Sequence, residues 1–398
     1  MKTCLAAIVW GVNRVAKIPS NLMGLAARMT TPVVRGRVMC WAYNFKQYSC
    51  NPRYLSEYLA AHNEPFDVYW VLRKGISTNN IDPNVKIVRY RSWEYYRLVA
   101  SAEFLVTNIR TEPYKIGWRK RKCQKYLSLW HGGMALKRIE KDAEQSLTYA
   151  YLRRAKADSR VADLMISGCR FHTSLIEQKF WYDGEILEKG IPRNDIFFDD
   201  EATERLRGVL AQRYGIADDE YLVLYAPTFR TSRSIEPYRI DWANVISAIE
   251  KRSGGKKVRV MLRLHPLLLG NNVSSLLVNH QQVIDMTAYH DMQELLRVSD
   301  MLITDYSSSM FDFSMQMRPC LLYATDVEQY DRGYYFDFSE LPYPLARNQQ
   351  ELIEIIDSFD EEKYKVSTQK FFDEKVGLVE NGNASKHIAE WMREHRMK

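Results

Sequence analysis

KYLSLWHGG, running from Lys125 to Gly133, is an apolar stretch that ends on Trp130-His131-Gly132-Gly133. Tyr126, Leu127 and Leu129 suit a strand, and the two glycines after the histidine predict a tight turn with little side-chain cover. VMLRLHP, from Val260 to Pro266, ends in the same way on His265. MLITDYSSSMFDF, from Met301 to Phe313, breaks at Asp305 into three serines and then reads as a helix. Apolar strands that finish on polar groups, spread over one chain, predict an open α/β sheet. In such sheets ligands sit outside the carboxyl ends of the strands.

The alternation extends in both directions. A strand near Val38 to Tyr43 leads to a helix over Pro52 to Ala61. DVYWVLRKG, FLVTN, YLSLW, LMISG and EILEKG read as further strands, separated by helical stretches such as Leu147 to Ala157. Gly190-Ile191-Pro192-Arg193-Asn194-Asp195 is a turn-rich break, followed by the acidic segment Asp199 to Gly208. Beyond it YLVLYAP, KVRVMLRLHP, QVIDM, MLITD and PCLLY resume the pattern, and from about Gln349 the chain reads as three helices. Strands apolar on both faces belong in buried parallel sheets. The expected architecture is two Rossmann-like domains facing a central cleft, one substrate held by each. The N-terminal domain takes residues 31–195 and the C-terminal domain 196–348, with helices over 349–398 packing back across both.

A chain of 398 residues is long for one core, which agrees with two domains. Apolar residues make up 46% and charged residues 26%, as in an ordinary globular protein. The formal net charge of +7 is largely N-terminal in origin: no Asp or Glu precedes Glu57, whereas Lys2, Arg14, Lys17, Arg28, Arg35, Arg37, Lys46 and Arg53 do. The six cysteines are scattered, without CxxC or zinc-like spacing, and read as reduced thiols of a cytosolic protein.

Residues 1–30 read as an amphipathic helix. Leu5, Ile8, Val9, Val12, Val15 and Ile18 fall near helical spacing, with Trp10 close by and Arg14 and Lys17 following. The apolar run is too short to span a bilayer, which takes about 20 residues. Basic residues beside an apolar stripe suit the surface of an anionic membrane. The plainer alternative is a helix packed on the protein's own core.

The chemistry-bearing groups cluster at the strand ends. His131 sits where a histidine can serve as general base for a hydroxyl. Arg263 and His265 share one side of an extended strand and suit a diphosphate. Asp305, Ser307 and Ser308 stand at a helix start, where hydroxyls and free N–H groups favour an anion. Thr228 and Arg230 follow YLVLYAP, and Arg230 has the fork to hold two phosphate oxygens. The loops carrying Arg193, Asn194, Asp195 and Arg332 add polar groups. Each has a bland alternative: a turn histidine, a solvated arginine, a helix cap. No GxGxxG, Walker, HExxH or GxSxG motif is present, and no RNP-like pattern, so nucleic acid is not an expected partner. No metal site is expected.

These motifs resemble those of the CDP-glycerol glycerophosphotransferase family, the teichoic-acid and capsule enzymes. NPRYLSEYL, VYWVLRKG, WHGG with Leu136-Lys137, GIPRND, LYAPTFR, RLHP, ITDYSSSMFDF and DVEQYDRGYYFDF occur in the family's order, over about Val38 to Phe338. The resemblance implies the GT-B fold and transfer of glycerol phosphate from CDP-glycerol to an acceptor hydroxyl, with release of CMP. It implies no cofactor besides that donor substrate. His131 would be the acceptor-side base, with Gly132, Gly133, Lys137, Arg193, Asn194 and Asp195 around it. His265 would contact the donor diphosphate, together with Thr228, Arg230, Arg263, Asp305, Ser307, Ser308 and Arg332. A lipid-linked or polymeric glycan acceptor and a peripheral place on the cytoplasmic face of the membrane are implied as well, and a homo-oligomer is left open. Gly133 departs from the threonine common in the family, which puts the acceptor's identity in question. A CDP-ribitol transferase, a GT-B glycosyltransferase and a non-catalytic scaffold are the competing readings.

Overall fold

The computed structural model describes residues 18–62, 64–112, 116–230, 236–265, 280–327 and 333–398. The expected stripe from Leu5 to Val15, together with Pro266 and Arg332, lies outside them. The chain forms two compact units. The first comprises residues 1–133, 139–195 and 379–398, and the second residues 134–138 and 196–378. The last helical stretch is thus divided, with 349–378 in the second unit and 379–398 in the first.

The first unit is built on seven parallel strands: β1 (Val34–Trp41), β2 (Asp67–Leu72), β3 (Lys86–Arg89), β4 (Ala102–Thr107), β5 (Lys125–Ser128), β6 (Leu164–Ser167) and β7 (Glu185–Glu188), in the order β3-β2-β1-β4-β5-β6-β7. The order reverses at β1, as in a Rossmann fold. β4 and β6 are buried at every residue, while the edge strands β3 and β7 are largely exposed or half-buried. One face carries Val38, Trp70, Phe104, Val106, Leu127 and Ile166, against the helix Cys50–Ala61 and the last helix, Ala384–Glu394. The other carries Met39, Trp41, Leu105 and Tyr126, against Tyr95, Tyr96 and Trp118. Each such buried side chain contributes about 1.5–3 kcal/mol of transfer free energy, so burial on both faces fixes the layer order.

The second unit repeats the plan with β8 (Tyr221–Tyr225), β9 (Val258–Leu262), β10 (Val283–Asp285), β11 (Met301–Thr304), β12 (Cys320–Tyr323) and β13 (Leu345–Ala346), in the order β10-β9-β8-β11-β12-β13. All pairings are parallel, and the order reverses between β8 and β11. Strands β3 and β13 are additions to the sequence reading. β3 is four residues with a single buried position and β13 is two residues, too short for a periodic signal. Cys40, Cys50, Cys169 and Cys320 are buried free thiols and Cys123 is an exposed one.

Candidate active site

In the first unit the site grows from the register of β4 and β5. Thr107 lies opposite Ser128, so Asn108-Ile109-Arg110 and Leu129-Trp130-His131 leave the sheet side by side. Trp130 adopts a left-handed backbone with φ of +50°, which turns the chain sharply at the histidine. Three successive carbonyls of this turn are held. Asn51, at the start of the helix Cys50–Ala61, donates from Nδ2 to the Leu129 and Trp130 oxygens at 2.8 and 3.0 Å. Arg193 donates from Nη1 to the His131 oxygen at 2.6 Å, and its own N–H is taken by Asn51 Oδ1 at 3.1 Å.

The His131 ring contacts the Asn108 carbonyl through Nδ1 at 3.1 Å. A carbonyl only accepts, so Nδ1 carries the proton and Nε2 keeps its lone pair. The residue is accessible to solvent, yet the surrounding protein desolvates the ring. That loss of hydration pushes its pKa down to about 4, opposed by the Asn108 carbonyl and assisted by the charges of Arg193 and Arg110. A second histidine, His172, is fully buried nearby, with Nδ1 lacking a hydrogen-bond partner among the described residues. Burial first, then Arg193 and His131, drive its pKa down to about 3.

The other residues expected on the acceptor side separate. Gly132 and Gly133 are buried, and a Cβ on Gly133 would meet Ile191 Cδ1 at 2.9 Å, so a threonine there requires that side chain to move. Asn194 and Asp195 both bond to the C-terminal segment. Asn194 is wholly buried and donates to Glu380 at 3.0 Å. Asp195 accepts the N–H groups of Ala384 and Ser385, both at 2.9 Å, and so caps the last helix from a distant loop. Lys137 belongs to the second unit, bridged to Tyr334. Neighbouring hydrogen bonds run from Tyr335 N to Leu136 O and from Arg138 N to Gly333 O, at 2.8 and 3.0 Å.

In the second unit the polar groups gather at the reversal between β8 and β11, where Tyr225 pairs with Ile303. Asp305 is 1% exposed and accepts the Thr228 N–H on both oxygens, at 2.8 and 3.0 Å, and the N–H of Tyr306. Arg230 donates to Asp305 from Nη1 at 2.7 Å and to Asp326 from Nε and Nη2 at 2.7 and 3.0 Å. Its guanidinium lies 4.7 Å from the Tyr306 ring, and the Tyr306 hydroxyl donates to Asp326. Burial alone would lower the arginine's pKa, but Asp326 and Asp305 raise it above the ordinary value. The guanidinium fork expected to clamp a phosphate thus faces two carboxylates in this structure. Lys137 Nζ lies 5.9 Å from the same Tyr306 ring.

His265 is exposed, with Leu264 buried before it and Arg263 half-buried before that, as strand alternation requires. Phe229 flanks the His265 ring at 5.3 Å, and burial lowers its pKa. Arg263 donates from Nη1 to the Tyr289 carbonyl at 2.8 Å. Ser307 and Ser308 are half-buried. The helix after them, Ser309–Ser314, has only six residues, so the expected dipole is small. Ser307 Oγ accepts from Ser309, and Ser308 makes no cap bond. Thr228 Oγ1 is buried without a hydrogen-bond partner among the described residues.

Comparison with known proteins gives these features a context. The chain matches the family model described as CDP-glycerol:poly(glycerophosphate) glycerophosphotransferase over residues 25–393. It is 33% identical over 387 residues to the teichoic acid poly(glycerol phosphate) polymerase of Bacillus subtilis, covering 94% of this chain and 50% of that protein. It is 31% identical over 363 residues to the teichoic acid glycerol-phosphate transferase of Staphylococcus aureus, covering 88% of this chain and 90% of that protein. The chain thus spans about half the length of the first relative and most of the second. Among solved structures, a histidine variant of the wall teichoic acid polymerase TagF soaked with CDPG superposes with a TM-score of 0.80. The two are 26% identical, over 97% of this chain and 98% of that one.

Proposed function

The chain belongs to the CDP-glycerol:poly(glycerophosphate) glycerophosphotransferase family, and from that premise we propose that it transfers glycerol phosphate from CDP-glycerol to an acceptor hydroxyl. The acceptor is a lipid-linked or polymeric glycan of teichoic-acid type. The observation that carries the reading is the fixed tautomer of His131. With Nδ1–H on the Asn108 carbonyl, Nε2 is the basic atom, and the low pKa keeps the ring neutral near pH 7. His131 takes the proton of the acceptor hydroxyl, and the oxygen attacks the phosphorus that bears glycerol. The bond from that phosphorus to the bridging oxygen breaks, and CMP leaves with the electron pair. Such transfers depend mainly on positioning and charge stabilisation.

The second unit holds the donor. His265, Arg263, Lys137, Thr228, Ser307 and Ser308 supply donors for the diphosphate. Arg230 acts indirectly, by holding Asp305 and Asp326 in place under Tyr306. The Thr228 hydroxyl, without a partner among the described residues, supports this reading, because a buried polar atom left so costs about 1–3 kcal/mol until another group meets it.

The protein works at the cytoplasmic face of the membrane, with the helix Ile18–Thr30 as its contact. That helix reverses the usual amphipathic arrangement. Ser20, Gly24 and Ala27 are buried, and a Cβ on Gly24 would clash with the Gly117 backbone. Leu22 and Met29 are 61% and 80% exposed, and Leu25 is exposed with them. Small residues packed inward and large apolar ones outward, with Arg28 at the end, suit a lipid headgroup boundary. Among the described residues no helix is long and apolar enough to cross a membrane.

The test is CMP release from a panel of CDP-alditols and nucleotide sugars, with a glycerol-phosphate-primed lipid acceptor present. CDP-glycerol alone should support release together with a new phosphodiester. A sugar-bearing product without one would assign the fold to glycosyl transfer instead.

A further inference from the structure

We propose that Arg110 is the positioning residue for His131, acting through the ring of Trp130. The proposal rests on His131 being the base, and it concerns a residue outside every motif quoted above. Trp130 holds φ of +50°, a conformation that a bulky residue keeps only where its surroundings over-determine it. Its ring is gripped. The Arg110 guanidinium carbon lies 5.3 Å from the Trp130 ring and 5.0 Å from the Phe180 ring. The two rings themselves meet edge to face at 4.9 Å.

Arg110 is in turn fixed from several sides. Nη1 donates to Asp158 at 3.1 Å and to Ser159 at 2.8 Å. Nη2 donates to Glu140 at 3.0 Å and to the Phe180 carbonyl at 3.2 Å. Tyr126 donates to Asp158 and Tyr151 to Glu140, so both carboxylates are held as well. The Arg110 side chain is 2% exposed, and a guanidinium paired with two buried carboxylates through Nη1 and Nη2 stays charged and in place.

The tripeptide after β4 therefore holds two consecutive residues after β5. Asn108 takes the imidazole N–H, and Arg110 takes the indole face one residue earlier. An arginine serving unit stability alone would need the carboxylates but not the indole. The ring contact is what reaches the histidine. The charged and titratable groups acting on the His131 ring are Arg193, Arg110 and His172, with the Tyr43 ring at 6.4 Å. Of these, Arg110 is the one whose partners bind it to the adjoining ring.

The test is a double-mutant cycle on the full chain with Arg110→Lys and Trp130→Leu. It reads kcat and KM from CMP release, the thermal midpoint, and the tautomer of His131 by nitrogen NMR of the histidine rings, assigned against His131→Ala. Each single variant should lower kcat by about 10²-fold, the cost of a small misplacement of a catalytic group. The KM for CDP-glycerol should hardly move, and the double variant should be no worse than the singles. The Nδ1–H tautomer should give way to a mixture. Phe180→Leu opens the other face of the stack and should give the same loss, which keeps the test intact if Arg110→Lys does not fold. Additive losses, an unchanged kcat or a loss confined to KM in folded variants would overturn the proposal. Continued transfer by His131→Ala would overturn the reading beneath it instead, and the tautomer would still judge Arg110.

Discussion

The carbonyl oxygen of Asn108 lies 3.1 Å from Nδ1 of His131, and this contact decides which ring nitrogen can act as a base. The partner is backbone rather than a carboxylate, so it sets the tautomer without adding a negative charge that would favour imidazolium. Desolvation then dominates, and the ring is held neutral.

The first consequence is a pH profile. With His131 as the proposed base the competent form is neutral imidazole, and the folded-state pKa is lowered to about 4. As pH falls, kcat/KM should hold through the ordinary histidine range near ~6.5 and drop only toward about 4. Initial rates of CMP release at low donor concentration measure this. An acid limb centred near ~6.5 would mean that the ring is hydrated like a surface histidine.

Arg230 should prove to be a stability residue. Arg230→Met leaves Asp305 and Asp326 facing one another without their cation. Removing one partner of a buried ion pair costs about 3–5 kcal/mol. Urea denaturation should show a loss of that order. Lys137→Ala should leave the urea midpoint unchanged while weakening CDP-glycerol binding.

Asp195 should matter to the last helix. Its carboxylate takes the N–H groups of Ala384 and Ser385, and Asn383 offers no side-chain cap of its own. Asp195→Ala should cost about 0.5–2 kcal/mol, the range for a lost cap. Asp195→Asn, which keeps one acceptor oxygen, should recover part of it. Hydrogen exchange in the segment Ala384–Glu394 should accelerate in the alanine variant.

The exposed face of the first described helix should govern membrane contact. Leu22→Glu with Met29→Glu should reduce flotation with anionic vesicles and leave the thermal midpoint unchanged, since both side chains already face solvent. Equal flotation of wild type and variant would remove this helix from the membrane contact.

The fold was largely legible because its central strands are buried on both faces, and continuous apolar runs such as FLVT and MLIT announce that directly. His131 and His265 were legible as strand ends. Much of what surrounds them was not. Asn51, Asn108 and Arg110 reach the WHGG turn through strand register and a helix start, none of which leaves a mark in local spacing. The opening Asn of NPRYLSEYL was the available hint of Asn51. The carboxylate partners of Arg230 leave no local signal, because a phosphate and a pair of carboxylates call for the same guanidinium fork, and Asp326 stands 96 residues away. The bonds of Asn194 and Asp195 to the C-terminal segment are not legible either, because polar turn residues usually face water and these partners lie far along the chain.

The most direct test of the account is His131→Ala, assayed for CMP release and, on the same sample, for CDP-glycerol binding by calorimetry. The account predicts a fall in transfer of at least about 10²-fold with donor affinity unchanged, because the proposed donor groups belong to the other unit. Transfer near the wild-type rate, or a parallel loss of transfer and donor binding, would contradict it.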